Sequence, residues 1–241
     1  MNKILAILMT LLICLPSAAL ADVLADGWQD ASMDELLDAQ QDINNRISEL
    51  RAAEAANADA VELSGSGTDI VSEVVIPFAP ARITITGSGT FKLSGGTDTT
   101  FTAKGYQQDS LTKSGTYQLL VETEGDWTFT AEPIAAGGTL PLSGSGPFVS
   151  DFIELPQAMI VTLTGEPGTM ESLVSNFIVH LNHEYENLDL WGYDALSNEL
   201  FTKSTESFTA DVILQPVDGR TEYFISITCD PGVEWSITPK N

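Results

Sequence analysis

Two stretches of this chain open and close alike. Ser64-Gly65-Ser66-Gly67 leads a segment ending on Gly125-Asp126-Trp127-Thr128-Phe129, and Ser143-Gly144-Ser145-Gly146 leads one ending on Gly232-Val233-Glu234-Trp235-Ser236-Ile237. Between these brackets Val71-Ser72-Glu73-Val74 aligns with Val149-Ser150-Asp151-Phe152, and Ile83-Thr84-Ile85-Thr86-Gly87 with Val161-Thr162-Leu163-Thr164-Gly165, both at an offset of 78 residues. The tryptophans stand 108 apart against that offset of 78, so the second copy carries 30 extra residues before its tryptophan. A pattern stated twice at domain length implies one small unit built twice, and it constrains the fold more than any single motif does.

Within each segment the apolar residues alternate. Ile70, Val74 and Ile76, then Ile83 and Ile85, then Phe91 and Leu93 are separated by Gly-Ser and Gly-Gly signals, the pattern of short antiparallel strands joined by turns. Further strands are expected over 99–103, 116–121 and 126–130, and in the second segment over 148–154, 159–164, 177–181, 188–193, 208–214, 223–228 and 233–238. Six or seven strands at this density predict a small sandwich or a partly closed barrel. The fold class expected is mostly β, an N-terminal helix followed by two tandem small antiparallel, jelly-roll-like sandwich domains over 64–142 and 143–241. Residues 133–141, bounded by Pro133 and Pro141, read as their joint. Trp127 and Trp235 read as core plugs of matching final strands.

The segment ahead of them divides in two. Lys3, the apolar run Ile4–Leu15, Pro16 and Ala19-Leu20-Ala21 have the layout of a signal peptide over 1–21 cleaved before Asp22. The run is shorter than the ~20 apolar residues that a spanning helix needs. Residues 22–63 read as a flexible lead, an amphipathic helix and a linker. Ser32-Met33-Asp34-Glu35 offers a capping box, and Met33, Leu36, Leu37, Ile43, Ile47 and Leu50 mark an apolar stripe at helical spacing. That stripe could pack, space, or join copies as an oligomerisation seam.

With 34 acidic against 10 basic residues the formal net charge is −24, which repels nucleic acid and anionic lipid. Beyond Cys14 in the leader, Cys229 stands alone, so no internal disulfide is expected and core burial must hold the exported chain. Two histidines and no Gly-x-Ser-x-Gly elbow leave no serine-hydrolase set, and the Gly-x-Gly elements at 65–67, 87–89 and 144–146 lack the following helix and lysine of a phosphate loop, so they read as turns. His180 and His183, with Glu184, Glu186, Asp189 and Asp194, are the candidate metal ligands, calcium being the ion that the carboxylates would suit. Histidines three apart on a strand face opposite ways, and the acids follow no regular calcium loop. Trp191 and Tyr193, in the enlarged part of the second segment, are the candidate ligand-binding aromatics.

Ser175-Asn176-Phe177-Ile178-Val179-His180-Leu181, with Tyr223 to Ile227 and Trp235 to Ile237, resembles bacterial secreted β-sandwich repeats of unknown function. Asn187-Leu188-Asp189-Leu190-Trp191-Gly192-Tyr193-Asp194 is similar to the Asp-Leu-aromatic strand of bacterial pre-peptidase C-terminal domains, sandwiches appended to secreted enzymes. That resemblance covers the second segment alone and implies an extracellular location; some members bind calcium or extracellular polymer, and Asp189 is the position that carries over. Gly105-Tyr106 stands where the first segment should hold the acidic strand. The reading is an exported, non-catalytic binding, spacer or adhesion-like protein of the cell surface, without a cofactor, its ligand carbohydrate or protein. Its alternatives are a metal-dependent enzyme or calcium module centred on the second segment, and a structural subunit assembled through the helix.

Overall fold

The computed structural model describes residues 32–35, 39, 42–43, 46, 49–50, 53, 57–95, 98–167, 177–182, 198–203, 207–216 and 221–240. Those from 57 onward belong to one compact unit and the earlier ones to another. In the earlier unit, Met33–Glu35 open a helical turn, and the capping box forms as its residues predict. The Ser32 amide donates to Glu35 Oε2 at 2.8 Å, and the Glu35 amide to Ser32 Oγ at 3.3 Å. The Ser32 amide, and the Ser32 hydroxyl that also donates to Glu35 Oε2 at 2.8 Å, hold the Glu35 carboxyl below its usual pKa. Leu36, Leu37 and Ile47 of the expected stripe lie outside the described residues. No helix among the described residues is long and apolar enough to cross a membrane.

The larger unit is built from curled, mostly antiparallel sheets. Its first six strands are β1 (Val61–Ser66), β2 (Asp69–Ile76), β3 (Ala81–Ser94), β4 (Thr99–Leu111), β5 (Gly115–Thr123) and β6 (Asp126–Pro133). They make one sheet in the order β1-β6-β3-β5-β2, with β4 on the other edge of β3. Sequence reading splits β3 in two at Gly87-Ser88-Gly89, and here the structure corrects it: the strand continues through both glycines. From Ala81 to Thr86 it pairs with β6, from Gly89 to Ser94 with β5, and along its other edge with β4 throughout. Gly87 has φ +112 and faces Gly105 of β4 at φ +93, so the glycines let two paired strands bend together without breaking their ladder. Ala81, Ile83, Ile85, Phe91 and Leu93 keep one alternation through the bend, so both halves of the curled sheet fill one core with Tyr117, Leu119, Trp127 and Phe129.

The remaining strands are β7 (Ala136–Gly138), β8 (Leu142–Ser145), β9 (Phe148–Val149), β10 (Phe152–Glu154), β11 (Met159–Pro167), β12 (Phe177–Asn182), β13 (Asn198–Lys203), β14 (Phe208–Leu214), β15 (Glu222–Thr228) and β16 (Val233–Pro239). They form two sheets, β14-β11-β16-β8 and β13-β12-β15-β10-β7 with β9 beside β15; β7 is parallel to β10. Here β11 and β12 take the parts of the two halves of β3. β11 pairs with β14 and β16 as the first half of β3 pairs with β4 and β6, and β12 pairs with β13 and β15 as its second half pairs with β4 and β5. A second core of Val161, Leu163, Phe177, Val179, Ile225, Trp235 and Ile237 lies between them.

The bracketing motifs have one geometry at both places. Gly65 pairs with Trp127 and Gly144 with Trp235. A Cβ on either glycine would lie 2.6 or 2.7 Å from the indole Cζ2, so only glycine lets each ring lie flat across the strand. Trp127 Nε1 donates to the Gly67 carbonyl at 3.2 Å, and Trp235 Nε1 to the Gly146 carbonyl at 2.9 Å. The Gly67 amide donates back to Gly125 O and the Gly146 amide to Val233 O, both at 2.9 Å. Behind each indole, Thr86 and Thr128, or Thr164 and Ser236, share a hydroxyl hydrogen bond.

Candidate functional site

A cluster of polar contacts lies where the first strand set meets the second. Alternation along β4 turns Phe101, Ala103 and Leu111 into the core, and Lys104, Tyr106 and Gln108 outward. An outward residue ordinarily meets water, but here that row meets the second set. Lys104 Nζ reaches Asp230 at 2.9 Å, Gln108 Oε1 accepts from the Val149 amide at 2.7 Å, and the Tyr106 ring lies beside Gly146. Burial raises the Tyr106 pKa above its usual value, against the pull of the Arg82 charge.

Arg82, outward on β3, completes the contact. Its Nε donates to the Val149 carbonyl at 2.9 Å, Nη1 to Glu132 at 2.8 Å and Nη2 to Asp151 at 2.5 Å. Gln108 and Arg82 thereby satisfy the amide and the carbonyl of one backbone residue, as a neighbouring strand would. The guanidinium is 16% exposed and its carboxylate partners 40% and 42%, so the pairs are screened on one side only. Next to Val149, Ser150 is fully buried: its amide donates to the Ile225 carbonyl, and its hydroxyl accepts from the Ile225 amide at 2.8 Å. Ile134, Val149, Phe152 and Phe224 form a small apolar cluster of their own, with Phe152 and Phe224 edge-on at 5.6 Å.

Asp109 and His180 approach one another at this junction. Burial raises the Asp109 pKa; the Ser110 amide, bonded to Oδ1 at 2.7 Å, and the His180 charge pull it back. His180 stands on β12 opposite Ser226 and Glu199, and its Nδ1 is buried without a hydrogen-bond partner. Of the residues that the sequence nominates, His180 therefore lies against the first set. His183, Glu184, Glu186, Asp189, Trp191, Tyr193 and Asp194 lie outside the described residues. Among the described residues no three His, Cys, Asp or Glu side chains are grouped to hold a metal ion. Cys229 is buried, and burial, helped by Asp230, pushes its thiol up to about 12, which leaves it a small core residue.

Sequence reasoning does not find Arg82, Gln108 or Asp151. The one available signal was the arginine itself, a lone cation at the start of an alternating strand in a chain with few basic residues.

No family model matches the chain, and no curated protein matches it. Among solved structures, the stem and receptor-binding domain of the spike protein P1 from bacteriophage PM2 is similar over 76% of this chain and 78% of that one, at 11% identity and a TM-score of 0.19.

Proposed function

We propose that this is an exported, non-catalytic protein of the cell surface or extracellular space, in which two duplicated β-sandwich domains act as a rigid binding or spacer module. One observation carries the reading: Arg82 and Gln108 hold both backbone groups of Val149, so the second strand set is fixed on the first by directional bonds rather than by a linker alone. A catalyst needs a cleft with converging reactive groups, whereas a spacer or adhesion module needs defined geometry between its parts. The twofold occurrence of the tryptophan clamp supports duplication, and the likeness of the second segment to pre-peptidase C-terminal domains supports an extracellular setting. The ligand proposed is carbohydrate or protein, taken by the surface around Trp191 and Tyr193.

The test is a glycan array together with a pulldown from cell-surface extract, each run with the unaltered protein and with Trp191→Ala/Tyr193→Ala. Binding lost in the double variant supports the reading. Empty results in both assays, or binding indifferent to the two aromatics, count against it.

A further inference from the structure

The register of the ladders shows what stands, in the second set, at the positions that make the junction in the first. Arg82 pairs with Ser110 on β4 and with Glu132 on β6. By the same relations Ile160 pairs with Ile213 on β14, and its carbonyl takes the Lys240 amide after β16. Ile160 therefore occupies the place of Arg82, Ile213 that of Ser110, and Lys240 that of Glu132. In the first set this face is covered by Val149-Ser150-Asp151. In the second it is open: Ile160 is 47% and Ile213 56% exposed.

The covering segment also has a counterpart. β9 and β10 pair with β15 at Val149 and at Ile153, leaving Ser150, Asp151 and Phe152 between those ladder positions. β2 breaks its register with β5 between Val71 and Val74, which leaves Ser72-Glu73, again a serine followed by an acid. Both are exposed, between Ile70 at 59% and Val75 at 50% exposure. Ile70, Val75, Ile160 and Ile213 are all of the exposed large apolar residues among the described residues of the compact unit, and they fall on these two surfaces alone. Charge matches as well. At the internal junction a cation, Arg82, meets Asp151; at the open surfaces the cation is Lys240, paired with Asp211, and the acid is Glu73.

We propose that the protein associates head to tail with a second copy of itself, the Ile160–Ile213 face of one molecule receiving the Ile70–Val75 segment of the next. The contact repeats between molecules the arrangement that Arg82 and Val149 make within one. Because the two surfaces differ, the contact is heterologous and extends into open chains rather than closing at a dimer. A net charge of −24 on each copy opposes it, so added salt strengthens it. The inference rests on the junction geometry and not on an outside ligand, so an empty glycan array leaves it standing.

Sedimentation velocity of the purified full chain over a range of concentrations, at low and high salt, tests it. The expected result is a mass that climbs with concentration past the dimer, and climbs further with salt. Ile213→Asp and the milder Ile160→Thr each reduce the association, with folding verified by an unchanged melting curve. Glu73→Lys and Lys240→Glu each weaken it, and the two together in one chain restore it. Ile213→Asp protein mixed with Glu73→Lys protein gives a dimer and nothing larger, since only one productive face and one productive segment can meet. A monomer at every concentration up to about 1 mM overturns the proposal. So does a closed dimer indifferent to these substitutions, or association abolished only by polar replacement of Leu36, Ile43 and Ile47.

Discussion

Arg82 Nε donates to the Val149 carbonyl at 2.9 Å across 67 residues of chain, and the same guanidinium grips Glu132 and Asp151. Three acceptors from two strand sets converge on one side chain, which makes Arg82 the point where coupling between the sets is concentrated. Arg82→Met keeps most of the aliphatic stem and removes every donor. It should cost about 2 kcal/mol, a value below that of a broken fully buried pair because water can reach both carboxylates. Amide hydrogen exchange checks this: the Val149 and Ser150 amides should exchange faster in the variant, while amides of the Trp127 clamp in the first core hold their protection.

The tryptophan clamps yield a second prediction. Trp127→Phe and Trp235→Phe each lose an indole hydrogen bond to a glycine carbonyl and leave a void, and each should cost about 2–3 kcal/mol in urea unfolding. Gly144→Ala sets a methyl 2.7 Å from a rigid ring carbon and should cost about 1–3 kcal/mol by displacing the indole. Gly125→Ala, where an added Cβ meets nothing within 4 Å, is the control and should change little. Equal effects at Gly144 and Gly125 would remove the close-approach explanation.

Asp109 predicts a pH dependence. Its pKa is raised, chiefly by burial, so folding favours the protonated form. Its contribution to stability is therefore full below the unfolded-state pKa and is lost as pH rises through the folded one. Once ionised, the buried carboxylate carries a desolvation cost that the Ser110 amide and the His180 charge only partly offset. Asp109→Asn preserves an acceptor for Ser110 and should raise the melting temperature at pH 7, the gain shrinking as pH falls toward the ordinary carboxylate range. A loss at pH 7 would show that the Asp109–His180 attraction outweighs burial, and a gain constant with pH would show that ionisation of Asp109 is not its source.

The strands were legible because their signals are local. Alternating Ile, Val, Phe and Leu place β3, β11 and β16 on the sequence, and the Ser-Gly-Ser-Gly and tryptophan motifs correspond to contacts between directly paired strands. The continuity of β3 was not legible, because a glycine that ends a strand and one that bends it at φ +112 look alike until the partner strand is known. The 133–141 joint hides strand β7, whose three residues carry no alternation to read. The junction was illegible for a further reason. Outward residues such as Lys104 and Gln108 have the pattern of a solvated face, and only the fold brings Asp230 and Val149 against them. Of the nominated site, His180 alone falls among the described residues, and its charge acts there on Asp109 at the junction.

Cys229 supplies the last prediction. The side chain is 8% exposed, and its thiol is pushed up to about 12, first by burial and then by Asp230. Since the thiolate is the nucleophile, its population at pH 8 falls about a thousandfold below that of an unperturbed thiol, and burial slows entry of reagent further. Iodoacetamide labelling followed by peptide mass analysis should leave Cys229 unmodified in the native protein at pH 8 and modify it fully in urea. The labelled fraction at intermediate urea should follow the unfolding of the second core, because Cys229 packs against it. Rapid labelling in the native state would mean that the end of β15 opens on its own, and it would return the thiol to consideration as a reactive group.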